Sequence, residues 1–348
     1  MKTFESLTYL GQVRRLRKLA QAALDDYGLA GARLTFIARS ENTTFRVDTP
    51  DPPKAADDAY VAGRYVLRVH RPAYQTLESL TSEMQWLAAL RSEAGLAVPK
   101  PVPTVTGEWL AEVAVPGMPG LWTCSLLRWV KGRKPWKNIS LRHFRALGRV
   151  TAQLHQHAAH WKPPTGFTRR CWNWEGLFGE DAGFNLPASA VWELLPEPYC
   201  APFETVAAQT RQLMDDWGEG LEAFGLLHAD LSIGEEENVL LHGGEARPID
   251  FDDCGYGYWV YDFATSLAHW QETGSWHKIR GALLDGYAEM RPLPKEQLAH
   301  LDLFMAARHV SEVLWAVDLA QSTPDFREQL GEWLEWAAKH VRLYLDSC

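Results

Sequence analysis

The sequence predicts an α+β protein of two lobes, with a β-rich lobe at the N-terminus and an α-rich lobe at the C-terminus. Up to about residue 130, short segments of alternating apolar and polar residues are typical of β-strands, whereas later segments have the apolar spacing of helices. A chain of 348 residues is also too long for one compact hydrophobic core. We therefore expect an N-terminal lobe at residues 1–130, a helical C-terminal lobe at residues 131–348, and a cleft between them.

The composition is that of an ordinary globular protein, with 46% hydrophobic and 23% charged residues. The formal net charge of −9 argues against a general nucleic-acid binder, because such proteins need a basic face. No apolar run has the length of a membrane span or a signal peptide, which makes the cytoplasm the expected location. The five cysteines form no Cys-x-x-Cys pair and are typical of the reduced thiols of an intracellular protein.

Each lobe divides into elements in chain order. In the N-terminal lobe we expect a helix at 9–27, strands at 34–38 and 44–47, a loop at 48–63, a strand at 65–70, a helix at 77–90, and strands at 108–115 and 122–130. In the C-terminal lobe we expect helices at 141–157, 203–217, 261–273, 276–290, 295–317 and 326–345, with a tryptophan-rich loop at 161–184. Residues 40–44, between the first two strands, are predicted to form a turn.

The stretch 226–262 carries the candidate chemistry. Two of its apolar runs are joined by a Gly-Gly turn and predict a β-hairpin. Asp230 follows the first apolar run of the stretch, Asn238 begins the second, and Asp250 divides the third. Two carboxylates and an amide are suitable oxygen ligands for Mg²⁺, and one carboxylate is left to act as a base. Phosphoryl transfer requires this arrangement, because its catalysis is mainly positioning and charge neutralisation.

These segments occur in an order that resembles one protein family. LLHADL…NVL and PIDFDD resemble the catalytic loop and the metal-binding motif of the aminoglycoside phosphotransferase and choline kinase-like family, which has a protein-kinase-like fold. YVLRV and LLRWVKG are similar to its phosphate-pairing strand and its adenine-contacting hinge. The resemblance extends over residues 36–268 and includes type II homoserine kinases and stress-response kinases. It implies a two-lobe fold and the ATP- and Mg²⁺-dependent transfer of a γ-phosphate to the alcohol group of a small molecule.

The resemblance also implies a role for each residue of the central motifs. Asp230 would be the catalytic base for the acceptor hydroxyl. Asn238 and Asp250 would bind Mg²⁺. His228 and Asp262 would not react but would support the catalytic loop.

On the same resemblance, the N-terminal lobe would hold the nucleotide. The residues expected to do so are Ser40, Asn42, Thr43, Arg68, Glu83, Leu127 and Trp129. The turn at 40–44 would cover the phosphates, Arg68 paired with Glu83 would bind them, and the hinge would contact adenine. Lysine is usual in the family where Arg68 stands; arginine keeps the charge but differs in geometry.

The spacing of the catalytic loop is a second departure from the family. The family's asparagine lies five residues after the aspartate, whereas Asn238 lies eight residues after Asp230. The additional residues are Glu235–Glu237. They could form a surface turn beside Gly234, displace the ligand, or supply a glutamate ligand of their own.

Substrate contacts are predicted in two places. Trp172, Trp174 and Glu175 could line a pocket for a cationic or hydroxylated substrate, through ring faces and a carboxylate. Alternatively, the tryptophans could attach this connection to the helical lobe. Asp252, just after Asp250, is the second candidate.

Two other functions remain open at this point. The acceptor could be a protein serine or threonine, as in stress-response kinases, although no segment after Asp250 has the length of a peptide-docking activation loop. The chain could also be a pseudokinase that binds nucleotide without turnover, since both the catalytic loop and Arg68 depart from the family pattern.

Overall fold

The computed structural model describes residues 3–347, apart from residues 5, 40, 41, 51–56, 73, 136, 137, 221, 235 and 236. The strands are β1 (Arg33–Arg39), β2 (Asn42–Asp48), β3 (Tyr60–His70), β4 (Leu110–Val113), β5 (Trp122–Val130), β6 (Cys171–Trp172), β7 (Phe224–Leu227), β8 (Val239–His242), β9 (Glu245–Pro248) and β10 (Gly255–Tyr258). The α-helices are α1 (Tyr9–Asp26), α2 (Leu77–Glu93), α3 (Leu141–His160), α4 (Trp174–Phe178), α5 (Ala188–Glu193), α6 (Glu197–Trp217), α7 (Trp259–Leu267), α8 (Trp276–Ala288), α9 (Lys295–Leu298), α10 (Leu301–Ala320) and α11 (Pro324–Leu345). The predicted α+β class is confirmed.

By their contacts, the residues group into two compact units. The first unit comprises Met1–Arg133, Pro163–Thr168 and Arg247–Asp250. The second unit comprises Lys134–Lys162, Arg169–Ala246 and Phe251–Cys348. Two short segments of later sequence therefore belong with the N-terminal unit, which a single boundary at residue 130 does not describe.

The first unit is built on an antiparallel sheet with the strand order β1-β2-β3-β5-β4. Alternation in β2 directs Phe45 and Val47 into the core, because successive side chains of a strand point to opposite faces. The helix α1 adds Leu16, Leu19 and Leu24 from one face to the same core. Each of these leucines stabilises the unit by about 1.5–3 kcal/mol relative to an exposed one.

The second unit combines a small sheet with most of the helices. In the sheet, β10 pairs antiparallel with β7 and parallel with β6. The helices α3 and α8 approach closely at two glycines. A Cβ atom at Gly148 would lie 1.9 Å from the carbonyl oxygen of Leu283, and one at Gly286 would lie 2.0 Å from that of Arg145. A larger residue at either position would therefore force these helices apart.

In the first unit, two predicted boundaries are wrong. The strand β3 begins at Tyr60, so the loop predicted at 48–63 ends earlier. Asn42 and Thr43 lie in β2 rather than in a turn. The cause is tertiary: β3 extends as far as His70, which pairs with Asn42, and a paired strand satisfies backbone groups that a turn would leave to solvent.

In the second unit, the predicted tryptophan-rich loop contains regular structure. It includes β6 and α4, because β6 pairs with β10 from much later in the chain. The helix predicted at 295–317 is two helices, α9 and α10, and α7 ends at Leu267 rather than at residue 273. None of the helices in the described residues is long and apolar enough to cross a bilayer.

Candidate active site

The loop that follows β7 is attached to the interior by one buried carboxylate. Asp262 of α7 accepts hydrogen bonds from the backbone N–H groups of His228 (3.2 Å) and Ala229 (2.7 Å). Its Oδ2 atom also lies 3.0 Å from Nε2 of His155 on α3. Asp262 and His155 are fully buried, and each supplies a polar partner that the other needs there. The sequence predicted this support of the loop by Asp262.

The turn just before Asp230 is strained and held in place. Ala229 has a φ of +66°, a left-handed conformation that costs an alanine about 1–2 kcal/mol. The ring of His228 is buried beside that of Phe251, with 4.5 Å between their centroids. Its Nδ1 atom accepts a long hydrogen bond of 3.4 Å from the backbone N–H of Asp230. His228 therefore packs and orients the loop, as predicted.

The carboxylate of Asp230 receives one hydrogen bond on each oxygen. Arg308 places Nη2 2.9 Å from Oδ1, and Asn238 places Nδ2 2.7 Å from Oδ2. The same Asn238 nitrogen lies 3.1 Å from the backbone carbonyl oxygen of Asp230. The Asp230 side chain is still 32% exposed, so a hydroxyl group from solution can reach it.

The lengthened loop does not carry Asn238 away from Asp230. The amide nitrogen of Asn238 makes both bonds to Asp230, so its carbonyl oxygen Oδ1 is the atom suited to bind a cation. Residues 235 and 236 of the insertion lie outside the described residues. Glu237 accepts a hydrogen bond from the hydroxyl of Ser232, which turns this glutamate toward its own loop.

Arg308 and Glu312 also belong to this group of side chains, and neither was predicted from the sequence. Both lie on α10, one turn apart, with Nε of Arg308 2.7 Å from Oε1 of Glu312. The signal was present in the sequence, because an arginine and a glutamate at i and i+4 interrupt an otherwise apolar helix. Their connection to Asp230 was not visible, because Arg308 lies 78 residues further along the chain.

The charges around Asp230 favour a base near neutral pH. Burial raises the pKa of Asp230 to about 7; the charge of Arg308 opposes the rise, and the carboxylates of Asp253, Glu237 and Glu312 reinforce it. Burial would also raise the pKa of Glu312, but Arg308 holds it well below its usual range. A carboxylate with a pKa close to the working pH is suited to accept a proton from a hydroxyl.

In the first unit, a second group of charges surrounds Arg68. Arg68 is 4% exposed in β3 and pairs through Nη2 with Oε1 of Glu83, which is fully buried on α2. Its Nη1 atom lies 3.7 Å from Oδ1 of Asp250. The predicted Arg68–Glu83 pair is present. Asp250 has a φ of +62° and a side chain 55% exposed, so its carboxylate is open to a ligand.

The turn predicted at 40–44 does not include Asn42 and Thr43, and the contact of these residues with phosphates stays a prediction. Ser40 lies outside the described residues. Asn42 and Thr43 are strand residues of β2, and Thr43 is buried. The Oδ1 atom of Asn42 lies 3.2 Å from Nδ1 of His70, so this side chain is engaged with the sheet.

The predicted adenine contacts lie on β5. Leu127 is buried there, and Trp129 is half-buried, with the guanidinium of Arg64 5.7 Å from the centroid of its indole ring. Both are strand residues, as predicted for 122–130. Their contact with adenine stays a prediction.

The contacts of the two tryptophans favour a structural role. Trp172 is 5% exposed and donates from Nε1 to the carbonyl oxygen of Asp253 at 2.8 Å. Trp174 donates from Nε1 to the carbonyl oxygen of Ala207 at 2.9 Å. Both indoles are therefore attached to the second unit by their only hydrogen-bond donor, as the alternative interpretation expected.

The two carboxylates predicted to contact substrate are placed differently. Glu175 lies 3.9 Å from Nη2 of Arg211, a loose ion pair between half-exposed side chains. The backbone carbonyl of Asp252 accepts a hydrogen bond from Arg169, which fixes the chain at this residue. Their contact with a substrate stays a prediction. In the described part of the chain, no three His, Cys, Asp or Glu side chains are grouped to hold a metal ion.

A carboxylate with a neighbouring amide, as at Asp230 and Asn238, is the arrangement that a phosphotransferase of the kinase type uses. A model of the "phosphotransferase enzyme family" matches residues 33–293. The chain belongs to this family, and the resemblance drawn from its motifs is confirmed.

Individual relatives agree with this placement. Homoserine kinase from Methylobacterium nodulans is 31% identical over 293 residues, which are 81% of this chain and 79% of that protein. The structure of a microcompartment-associated aminopropanol kinase is 27% identical and superposes with a TM-score of 0.78, covering 95% of this chain and 98% of its own. An amicoumacin kinase solved with AMP-PNP, Ca²⁺ and Ami is 21% identical, with a TM-score of 0.71 and coverage of 93% and 96%; it shows the shared fold.

Proposed function

We propose that this protein transfers the γ-phosphoryl group of ATP to the hydroxyl group of a small molecule that also carries an amine. The observation that carries the proposal is the pairing of Asp230 with Asn238, at 2.7 Å and 3.1 Å, despite the lengthened loop between them. It keeps a candidate base beside a candidate metal ligand. The cytoplasm, where ATP is available, is part of this proposal.

In the reaction, Asp230 accepts a hydrogen bond from the acceptor hydroxyl and aligns it for in-line attack. It takes the hydroxyl proton as the bond to the γ-phosphorus forms and the bond from that phosphorus to the leaving oxygen of ADP breaks. The guanidinium of Arg68, which is held by Glu83, pairs with the phosphate oxygens of the nucleotide. The nucleotide would lie beside the segment 40–44, Leu127 and Trp129.

Each of the two proposed metal ligands is of a kind that suits a magnesium ion. Asn238 supplies a carbonyl oxygen and Asp250 an exposed carboxylate, and Mg²⁺ prefers such oxygen ligands. When bound, the ion would neutralise charge on the phosphates. The amicoumacin kinase solved with a nucleotide analogue and Ca²⁺ supports the use of a divalent ion.

An amine on the acceptor is supported by the charges near Asp230. Three further carboxylates, Asp253, Glu237 and Glu312, act on the charge of Asp230, and Arg308 is the cation that opposes them. Such an excess of negative charge favours a cationic reactant. The names of the relatives agree, because homoserine and aminopropanol are both alcohols that carry an amine.

A matched pair of acceptors tests this proposal. With ATP and Mg²⁺, 1-amino-2-propanol and L-homoserine are expected to be phosphorylated, whereas 1,2-propanediol, which replaces the amine with a hydroxyl, is expected to react far more slowly. Product formation is followed by ³¹P NMR and by a coupled ADP assay. Equal rates with 1-amino-2-propanol and 1,2-propanediol would rule out the amine requirement, and a lack of product with every alcohol tested would contradict the transfer itself.

The Arg68–Glu83 pair gives a test of nucleotide binding. Glu83→Gln removes the charge that holds Arg68, which is then drawn toward Asp250. We expect the KM for ATP to rise by about tenfold, equivalent to about 1.4 kcal/mol of binding. Glu93→Gln, at the exposed end of the same helix, serves as the control and is expected to leave this KM unchanged. An unchanged KM in both variants would argue against a phosphate role for Arg68.

Neither alternative function gains support from the structure. The strand β10 begins five residues after Asp250 and α7 follows it directly, which leaves no long segment for docking a peptide. The pseudokinase hypothesis rested on the lengthened catalytic loop and on Arg68, yet Asn238 contacts Asp230 and Arg68 pairs with Glu83. Autoradiography of a cell lysate incubated with this protein and labelled ATP tests the protein-kinase alternative, since a protein kinase would give labelled protein bands.

A further inference from the structure

We propose that Arg308, held by Glu312 on the next turn of α10, is the positioning residue that fixes the orientation of the Asp230 carboxylate. The inference rests on the function proposed above, in which Asp230 is the base. Arg308 contacts neither the acceptor nor the nucleotide in this scheme. It acts through Asp230.

Three contacts fix the guanidinium of Arg308. Nη2 lies 2.9 Å from Oδ1 of Asp230, Nε lies 2.7 Å from Oε1 of Glu312, and Nη1 lies 3.3 Å from the hydroxyl of Tyr261. The Arg308 side chain is only 15% exposed. Because the guanidinium is planar and is held at Nε by Glu312 and at Nη1 by Tyr261, its Nη2 atom points in one fixed direction. Arg308 can therefore hold the Asp230 carboxylate in one orientation.

Asp230 needs a second fixed donor. The final torsion of an aspartate side chain is broad, so the hydrogen bond from Asn238 alone would allow the carboxylate plane to rotate. With Arg308 on Oδ1 and Asn238 on Oδ2, the plane is fixed. A base must lie within about 2.6–3.2 Å of the hydroxyl it deprotonates, and a displacement of about 1 Å can lower the rate by about 10²-fold.

The same contacts argue against a direct role in binding the acceptor. The positive charge of Arg308 is already balanced by the carboxylates of Asp230 and Glu312. A third carboxylate, brought by a substrate, would have to displace one of these partners. Loss of Arg308 should therefore reduce kcat and leave the KM for the acceptor nearly unchanged.

Steady-state kinetics of three variants with 1-amino-2-propanol or L-homoserine, whichever supports turnover, test the proposal. Arg308→Met is expected to lower kcat by about 10²-fold, with a change of less than about threefold in the acceptor KM. Arg308→Lys should recover part of kcat, because an ammonium keeps one hydrogen bond to Asp230. Glu312→Ala should lower kcat by about tenfold, and the double variant Arg308→Met/Glu312→Ala should be no slower than Arg308→Met alone.

Thermal unfolding of each variant identifies any that fail to fold, and the remaining variants then decide the outcome. Arg145→Met is the control, since Arg145 pairs with Glu289 at the surface of α3 and is expected to keep wild-type kinetics. The proposal is overturned if kcat is unaffected, if the effect falls on the acceptor KM, or if the double variant multiplies the two losses. A parallel Asp230→Asn variant distinguishes failure of the proposed function from failure of this inference. If Asp230→Asn turns over normally, the proposed function fails. If Asp230→Asn is inactive while the Arg308 variants keep normal kinetics, only the role of Arg308 fails.

Discussion

Replacing Asp230 with asparagine is expected to abolish turnover while leaving nucleotide binding largely intact. Asparagine keeps the shape of the side chain and can still hydrogen-bond to Arg308, but it cannot take a proton from the acceptor hydroxyl. General base catalysis contributes about 10²–10⁴-fold to such reactions, so kcat should fall by at least about that factor, down to the detection limit. A coupled ADP assay measures kcat, and calorimetric titration with ATP and Mg²⁺ measures binding.

Two comparisons make this result specific. Asp302→Asn on the exposed face of α10 is the matched control and is expected to retain full activity. In the unaltered protein, kcat/KM should fall as the pH drops below about 7, because the protonated form of Asp230 cannot act as a base. Normal turnover by Asp230→Asn would show that another group accepts the proton.

Replacing Asp262 with asparagine is expected to lower the stability of the protein by about 3–5 kcal/mol, because one partner of a buried charged network is removed. Asp262 accepts hydrogen bonds from His155 and from the backbone N–H groups of His228 and Ala229. The NH₂ group of an asparagine can accept none of them, so at least one buried donor would lose its partner. Urea denaturation followed by circular dichroism measures the change.

The measurement is best made at pH 7. Burial would raise the pKa of Asp262, but the hydrogen bonds from His155 and from Ala229 lower it below its usual range. A lowered pKa in the folded state means that the stabilisation is complete above about pH 4 and is lost as the pH falls further. Asp302→Asn again serves as the control, with an expected change within about 0.5 kcal/mol. Equal stabilities of the two variants would show that the network around Asp262 contributes little.

The parts of the site predicted from the sequence are those encoded locally. Asp230, Asn238 and Asp250 each adjoin a short apolar run, and a polar residue at such a position is a visible signal. The pair of Arg68 and Glu83 was predicted through the family resemblance, whereas periodicity predicted only the strand and the helix that carry them.

The parts that were missed depend on contacts between distant segments. Arg308 reaches Asp230 only because α10 is buried beside the catalytic loop, and no local pattern encodes that packing. The strand position of Asn42 depends on the length of β3, and β6 exists only where β10 pairs with it. In the two strand cases the polar sequence resembled a loop, and a distant partner determined the structure instead.

The contact between Asn238 and Asp230 has a consequence for how such enzymes diverge. Seven residues separate the two side chains here, where the usual spacing leaves four. Lengthening a connection by that amount costs only about 0.5 kcal/mol in closure entropy. The connection is therefore a place where an insertion can leave the two side chains in contact, and a site for adding a reporter sequence. Searches that require a fixed count between the two residues would overlook active members, whereas a criterion based on the distance between side chains would retain them.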